Sequence, residues 1–224
     1  MTVGDLDAAW DHLMRCREAR SPRDVRGRVA DLVNQAAVEV RLGRVEAAQR
    51  TLNQAHALAE QAPDPDGHAH AHELLGVVEW LSGHPHRASE GWRRALELYA
   101  QLADLTGQAR CLQHLGTAAL SDPHGARDDW GRRDGRERGE GREDAADLLT
   151  VSLDLRGDQE TGLGAALAHL HLAESGQLSA AELAAHRQAG LAALRAWPHQ
   201  GSEPSEVTRA RARLSALKAS TSRP

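Results

Sequence analysis

The amino-acid sequence predicts an all-α fold, a right-handed superhelical solenoid of antiparallel helix pairs with about four pairs and a C-terminal capping helix. Two independent sets of small residues recur at a nearly fixed interval, and such self-similarity is typical of stacked structural repeats. The composition also favours helix, because alanine and leucine are abundant while phenylalanine is absent and only one tyrosine occurs. Together these observations predict a single helical-repeat domain over residues 1–224.

The first residue set lies on the second helix of each predicted pair. Gly43 and Gly83 stand 40 residues apart, and we expect each to end one helix and turn the chain into the next. Small and large residues then share one helical face at i, i+4 and i+7, namely Ala48, Leu52 and Ala55, followed by Ala88, Trp92 and Ala95. The small members let the paired helix approach, and the large member fills the space beside them.

The second residue set lies on the first helix of each pair. Glycines recur every 40 residues, and each stands nine residues before another small residue; the pairs are Gly27 and Ala36, Gly67 and Gly76, Gly107 and Gly116. A glycine inside a helix costs about 1 kcal/mol relative to alanine, so it needs a compensating reason. We therefore expect Gly76 and Gly116 to lie where a neighbouring helix comes very close.

The predicted elements follow in order along the chain: a half-repeat at 1–20, repeat 1 at 26–62, repeat 2 at 66–102, repeat 3 at 106–156, repeat 4 at 160–197 and a capping helix at 203–219. The half-repeat continues the first residue set at Gly4, Ala9, Leu13 and Cys16. It is either a cap of the array or the remainder of a longer protein. The sequence leaves both interpretations open.

Repeat 3 contains an insert at about 122–144. Its second-helix face returns at Ala145, Leu149 and Ser152, which is 57 residues after that of repeat 2 instead of 40. The insert is rich in glycine and mixed charge, so it predicts a mobile, dispensable surface loop. An arginine-rich arm that docks on an acidic partner is the alternative, although the acids of the segment nearly balance its bases.

Repeat 4 and the last helix complete the array. Ser179 and Glu182 form a capping box at the start of the second helix of repeat 4, and Trp197–Pro198 ends it. The interval of 40 predicts that Ala185, Ala189 and Ala192 form its inward face. The capping helix carries one apolar side, made by Val207, Ala210, Leu214 and Leu217.

The Leu–Gly pairs of the first helices and the Ala-x3-large-x2-Ala faces of the second helices resemble the tetratricopeptide repeat, in a longer form of about 40 residues typical of bacterial regulatory proteins. Leu13 and Leu52 replace the aromatic residue common in that family, and Glu39 and Glu79 replace its tyrosine. The resemblance implies a non-enzymatic scaffold that binds a protein or peptide partner in a concave groove. In that family the first helix of each repeat lines the groove. The matching positions of this sequence are Val33, Ala37, Val40, His70, Glu73, Val77, Trp80, Arg110, Gln113, Thr117 and Leu120, with Ala168 and Leu172 in repeat 4. Packing of these residues against the chain itself or a second copy, as in a homodimer, is the alternative.

Two other functions remain open at the level of sequence. The family resemblance also fits the sensor portion of a bacterial transcriptional or signalling regulator that binds a small ligand or peptide. The third hypothesis is metal binding through His68, His70 and His72. His68 and His72 share a helix face at i, i+4, which suits a metal, yet the sequence fixes no further ligand. We interpret these histidines as solvated side chains at a helix start and predict no specific metal site.

Several classes of function are not supported by the sequence. The net charge of −5 argues against a direct nucleic-acid surface, and no apolar run approaches the ~20 residues that cross a membrane. Neither a leader nor a disulfide framework is evident, so we expect a cytoplasmic protein. No phosphate loop or nucleophile elbow occurs, and Cys16 and Cys111 are interpreted as small buried residues. We therefore expect no enzyme activity and no cofactor.

Overall fold

The computed structural model describes residues 3–61, 64–121, 145–157, 163–176, 178–195 and 205–217, with the backbone alone described at 3–5 and 205–206. These residues form ten α-helices and no strand, which confirms the all-α prediction; the handedness of stacking stays a prediction. The helices are α1 (Val3–Ala19), α2 (Val25–Arg41), α3 (Val45–Ala59), α4 (Pro65–Leu81), α5 (Pro85–Gln101), α6 (Leu105–Ser121), α7 (Ala145–Arg156), α8 (Leu163–Glu174), α9 (Ala180–Arg195) and α10 (Ser205–Ala216). No helix within the described ranges combines the length and the apolar character needed to cross a membrane.

The chain divides into two compact units, Met1–Gly107 and Gln108–Pro224. We call them the N-terminal unit and the C-terminal unit and describe each by itself. The boundary falls within α6, at a point that the repeat pattern does not mark. The predicted limits of the individual repeats stay predictions.

The turns of the N-terminal unit lie where the sequence predicted them. Gly43 and Gly83 have φ values of +72° and +80°, in the left-handed region where a Cβ atom is strained. Each glycine follows the last residue of a first helix, Arg41 in α2 and Leu81 in α4, by two positions. The chain then enters α3 and α5, which pack against α2 and α4.

The glycines that begin the second residue set have a local reason that the sequence pattern did not reveal. Asp24, Asp64 and Asp104 accept hydrogen bonds from the backbone N–H groups of the glycines three residues later, at 2.9, 3.1 and 3.0 Å. Such caps satisfy backbone donors at the helix start. A Cβ at Gly67 would lie 2.4 Å from Oδ2 of Asp64 and 2.6 Å from Cγ1 of Val29. The glycine therefore makes room for both the cap and the preceding repeat.

Gly76 lies where α4 and α5 nearly touch, which confirms the expectation for this residue. An added Cβ would lie 2.5 Å from the Trp92 ring and 2.9 Å from the backbone oxygen of Ala88. Gly91 meets the same contact from the other side, since its Cβ would lie 3.1 Å from the Cα of Gly76. Gly91 stands outside the two recurring sets, so the repeat pattern did not predict its contact.

The core of the N-terminal unit fills the space between α2, α3 and α4. Leu52, Ala48 and Ala55 of α3 have no exposed surface, in agreement with the predicted inward face. Apolar residues of α2 and α4 pack around them, including Val29, Leu32, Ala36, Ala71 and Val78. The apolar contact between successive helices is thus continuous from repeat 1 into repeat 2.

Polar contacts join α1 to α2. Asp31, Gln35 and Glu39 are buried on one stripe of α2, and such groups are costly to bury without partners. Arg20, directly after α1, forms a two-pronged ion pair with Asp31, and Arg17 of α1 donates a hydrogen bond to Gln35. Gln35 in turn donates to Glu39 at 2.9 Å. The half-repeat is therefore held by side-chain hydrogen bonds as well as by the apolar Leu6.

In the C-terminal unit, α7 packs on α6 as the register of the sequence predicted. Ala145, Leu149 and Ser152 are buried, and the Ser152 hydroxyl donates to the backbone oxygen of Ala109 at 2.7 Å. A Cβ at Gly116 would lie 2.8 Å from Cγ of Leu149, so α6 and α7 are in close contact here. The insert at 122–144, its predicted mobility and Trp197–Pro198 lie outside the described residues.

The remaining helices, α8, α9 and α10, share an apolar cluster. The predicted capping box is present, since Ser179 N–H donates to Oε2 of Glu182 at 2.8 Å and Glu182 N–H donates to Oγ of Ser179 at 3.3 Å. Val207, Ala210 and Leu214 of α10 are almost fully buried, as expected for the apolar side of the last helix. This helix ends at Ala216, earlier than the predicted limit.

The predicted inward face of α9 is wrong by one residue. Ala185 and Ala192 are exposed and Ala189 is half-buried, whereas Gly190, Ala193 and Leu194 are buried. Gly190 faces Leu214, whose methyl carbons would lie 3.0 Å from an added Cβ. Contact with α10 sets the rotation of this helix, and an interval carried over from earlier repeats contains no information about that contact.

Candidate functional site

The groove residues predicted in the N-terminal unit fall into two groups. Val33 and Glu73 are only 8% and 6% exposed, so neither side chain is available to a partner. Val33 packs with the apolar cluster between α2, α3 and α4. The others keep part of their surface exposed, and we call them the α2–α4 face: Ala37, Val40, His70, Val77 and Trp80.

Glu73 is tied into the protein by Tyr99. The fully buried Tyr99 hydroxyl of α5 donates to Oε2 of Glu73 at 2.7 Å, and the His70 ring lies edge-on to the Tyr99 ring with centroids 5.4 Å apart. A buried carboxylate needs such a donor, because its desolvation is otherwise uncompensated. Glu73 therefore fixes how α5 sits on α4, a role that family register alone could not reveal.

Trp80 is shared between the α2–α4 face and the packing of repeat 2. Its ring centroid lies 6.0 Å from that of the buried Trp92 of α5, while part of its surface stays exposed. The next residue, Leu81, is 53% exposed at the end of α4. Leu81 was not among the predicted groove residues, although a large apolar residue directly before the polar turn at Ser82 and Gly83 was a signal for it.

The predicted residues of the C-terminal unit are half-buried on α6. The Gln113 side-chain oxygen accepts a hydrogen bond from Nη2 of Arg156 at 2.9 Å. Oγ1 of Thr117 lies 2.7 Å from the Gln113 backbone oxygen and 2.9 Å from Nδ1 of His171 on α8. Arg110 and Leu120 are likewise half-buried, whereas Ala168 and Leu172 of repeat 4 are buried. Gln113 and Thr117 thus link α6 to its neighbours within this unit.

A cluster of three histidines lies between α3 and α4. His56 projects from α3, and His68 and His72 project from α4; one nitrogen of each lies within 4.8 Å of one nitrogen of the others. The His56 ring centroid is 5.1 Å from each of the other two centroids. His70 is not part of this cluster, because it points to Tyr99 and its Nδ1 lies 3.2 Å from the backbone oxygen of Asp66. The structure thus brings two of the three predicted histidines together and adds His56.

The histidine cluster opens into a cleft of about 450 Å³ lined also by Glu60, Arg94 and Leu98. Burial, together with the positive charge of His56, His68 and Arg94 nearby, lowers the pKa of His72 to about 4. His72 is therefore neutral near pH 7, and one of its ring nitrogens can accept a hydrogen bond. Oε1 of Glu60 lies 3.5 Å from Nε2 of His56, which places a negative charge beside the cluster.

A second histidine pair lies in the C-terminal unit. The Nδ1 atoms of His169 on α8 and His186 on α9 are 2.9 Å apart, so one nitrogen donates a proton and the other accepts it. Burial and then the neighbouring His186 lower the pKa of His169 to about 4, and burial lowers the pKa of His186 as well. Burial also lowers the pKa of His171, which lies on the same helix as His169 and near Arg213 and Glu174. The folded unit therefore favours neutral histidines.

We expect this pair to make the C-terminal unit less stable in acid. The unfolded chain binds a proton near the ordinary histidine pKa of about 6.5, whereas folded His169 binds one only near pH 4. Stability is therefore complete above about pH 6.5 and is lost as the pH falls towards 4. Thermal melts of metal-free protein between pH 7.5 and 4.5 measure this effect.

The variant His169→Gln should show a shallower loss of melting temperature over the same pH range. Its control is His86→Gln, which replaces an exposed histidine in the N-terminal unit and should keep the slope of the parent protein. Equal slopes for all three proteins would contradict the assignment of this acid sensitivity to His169.

The chain is similar to one known protein family and to a solved structure. The family model described as Tetratricopeptide repeat matches residues 29–99. Among solved structures, the chain is similar to the crystal structure of BtubC (BKLC) from P. vanneervenii, with a TM-score of 0.64, 16% sequence identity, and coverage of 96% of this chain and 80% of that one. No curated protein matches the sequence. At this identity the likeness to the solved structure concerns the fold alone.

Proposed function

We propose that this chain is a non-enzymatic scaffold that binds a protein or peptide partner through the α2–α4 face, because residues 29–99 match the tetratricopeptide-repeat family model. Arrays of this family bind other proteins as a general property. The finer assignment, to particular residues of the N-terminal unit, rests on their partial exposure beside a fixed helical framework.

The observation that carries this proposal is an apolar surface at the end of α4. Leu81 is 53% exposed, and Val77 and Trp80, which keep a smaller part of their surface exposed, are its neighbours on the same helix. Exposed apolar groups that lie together mark interaction surfaces more often than single ones do. Trp80 also rests on the buried Trp92, which restricts its ring before any partner binds. A rigid aromatic group of this kind is a frequent anchor of interfaces.

The proposal is tested by photo-cross-linking in the native host. A benzoylphenylalanine at position 81 should capture a partner protein, whereas the same group at exposed position 50 of α3 should not. Leu81→Ser should keep the melting temperature of the parent protein and weaken binding of the captured partner by about tenfold. Trp80→Ala should weaken binding and also lower the melting temperature, because its ring contacts Trp92.

Two results would contradict the proposal. Equal capture at positions 50 and 81 would show that the α2–α4 face is not selective. If position 81 cross-links solely to a second copy of the chain, the α2–α4 face is the interface of a homodimer and not a binding surface for another protein. Isothermal titration calorimetry with the purified partner then separates a loss of affinity from a loss of folded protein.

A further inference from the structure

We propose that His56, His68 and His72 form a binding site for a divalent cation of the zinc class, which joins the second helix of repeat 1 to the first helix of repeat 2. This site is separate from the α2–α4 face and does not depend on the proposed scaffold function. Its physical basis is the convergence of three imidazoles from two helices on one point.

The geometry of the cluster is close to that of a bound metal. Zinc bonds to imidazole nitrogen at about 2.0–2.1 Å, so two nitrogens on a tetrahedral ion are about 3.4 Å apart. The three nitrogens here already lie within 4.8 Å of one another. Small side-chain rotations are enough to bring them to the metal-bound spacing, and no helix has to move far.

Local structure fixes the two histidines of α4. They are one helical turn apart, in a segment whose start is held by the Asp64 cap and by Pro65. His56 comes from the last turn of α3, which contacts α4 directly. The buried Nδ1 of His56 has no hydrogen-bond partner in the part of the chain that the structure describes. No hydrogen bond within that part therefore competes with a metal for Nδ1, while Nε2 lies 3.5 Å from Oε1 of Glu60.

The charges around the cluster are compatible with a cation. Imidazole nitrogen is a common ligand of zinc, and the Glu60 carboxylate lies 3.5 Å from Nε2 of His56. Arg94 also lines the cleft and opposes a cation, but it forms an ion pair with Glu97 at 3.0 Å and is largely exposed to solvent. With three protein ligands assigned, the fourth position is left to water from the cleft.

A cation at this position would act as a clamp between repeats. Its ligands come from helices that belong to successive repeats, so unfolding of either repeat separates the ligands and releases the ion. Any ligand that binds only the folded state raises its stability by mass action. The expected consequence is a zinc-dependent increase in the melting temperature of the N-terminal unit.

The test uses the full chain without an affinity tag, washed with chelator and then titrated with Zn²⁺ or Co²⁺ alone. We expect one ion per chain by elemental mass spectrometry, the intense visible absorption of four-coordinate Co²⁺, and a melting temperature raised by several degrees. His56→Ala and His68→Ala should each weaken zinc binding by at least about tenfold. His70→Ala, on the same helix but outside the cluster, should bind zinc like the parent protein.

The outcome for His56 decides between this site and an adventitious one. If His56→Ala keeps the affinity of the parent protein while His68→Ala loses it, the ion is held by the histidines of α4 alone and the proposal is overturned. Circular dichroism of the metal-free variants checks that each is folded; where an alanine variant is not, the smaller change His56→Gln or His68→Gln at the same position replaces it. Zinc binding without any rise in the melting temperature would overturn the role as a clamp.

Discussion

Gly76→Leu is expected to destabilise the N-terminal unit by about 3 kcal/mol or more. A Cβ alone would lie 2.5 Å from the Trp92 ring and 2.9 Å from a backbone oxygen of α5, and the longer side chain would extend further into that space. Trp92 is 2% exposed and packed on its other sides, so its ring cannot move without disturbing the core. Overpacking of this kind typically costs about 1–3 kcal/mol, and backbone contact places this site at the upper end.

Two companion variants define the cause of that loss. Helix propensity alone favours Gly76→Ala by about 1 kcal/mol. If this smallest substitution nevertheless destabilises the protein, the loss is due to the steric contact. Ala100→Leu makes the same kind of enlargement at an exposed position of α5 and should be nearly neutral. Urea unfolding followed by circular dichroism measures all three. A Gly76→Leu protein as stable as the parent would show that α4 and α5 are not in contact at this point.

Leu149→Ala is expected to cost about 2–5 kcal/mol in the free energy of unfolding of the C-terminal unit. Leu149 has no exposed surface, and its Cγ lies against Gly116 of α6. Removing three buried carbons loses their transfer free energy and leaves a cavity that the surrounding helices fill only in part. Because Leu149 is the large member of the inward face of α7, its loss directly weakens the pairing of α6 with α7.

The matched control is Val151→Ala, two residues further along α7. Val151 is 45% exposed, so the same helix loses two methyl groups with little change in buried area. We expect a change within about 0.5 kcal/mol. Equal effects at positions 149 and 151 would contradict the observed face of α7, and with it the assignment of α7 as the partner of α6.

The recurring small residues made much of the fold predictable. Glycine at a left-handed turn and glycine at a helix contact are both demanded by local sterics, so Gly43, Gly83 and Gly76 could be interpreted from their spacing. The return of the inward face at Leu149 was predictable for the same reason, although a long insert precedes it. Side-chain size at a fixed interval is information that a sequence contains explicitly.

The candidate site was predicted less well, because exposure depends on neighbours from other helices. Family register placed Glu73 in the groove, yet the Tyr99 hydroxyl, 26 residues later, holds it in the interior. The same limit applies to α9, where Leu214 of α10 decided which side is buried. A single repeating interval cannot contain these contacts, since each involves a residue that has no counterpart in the other repeats.

The sequence by itself determined the helical class, the turns and the close helix contacts, because those depend on residue size and backbone conformation along one segment. Only the tertiary structure decided which polar residues meet. His68 and His72 were evident as a pair on one helix, but their third partner, His56, lies on the preceding helix and outside any metal-binding spacing. The packing of α3 on α4 brings the three imidazoles within reach of one ion, and the order of residues along the chain does not contain that distance.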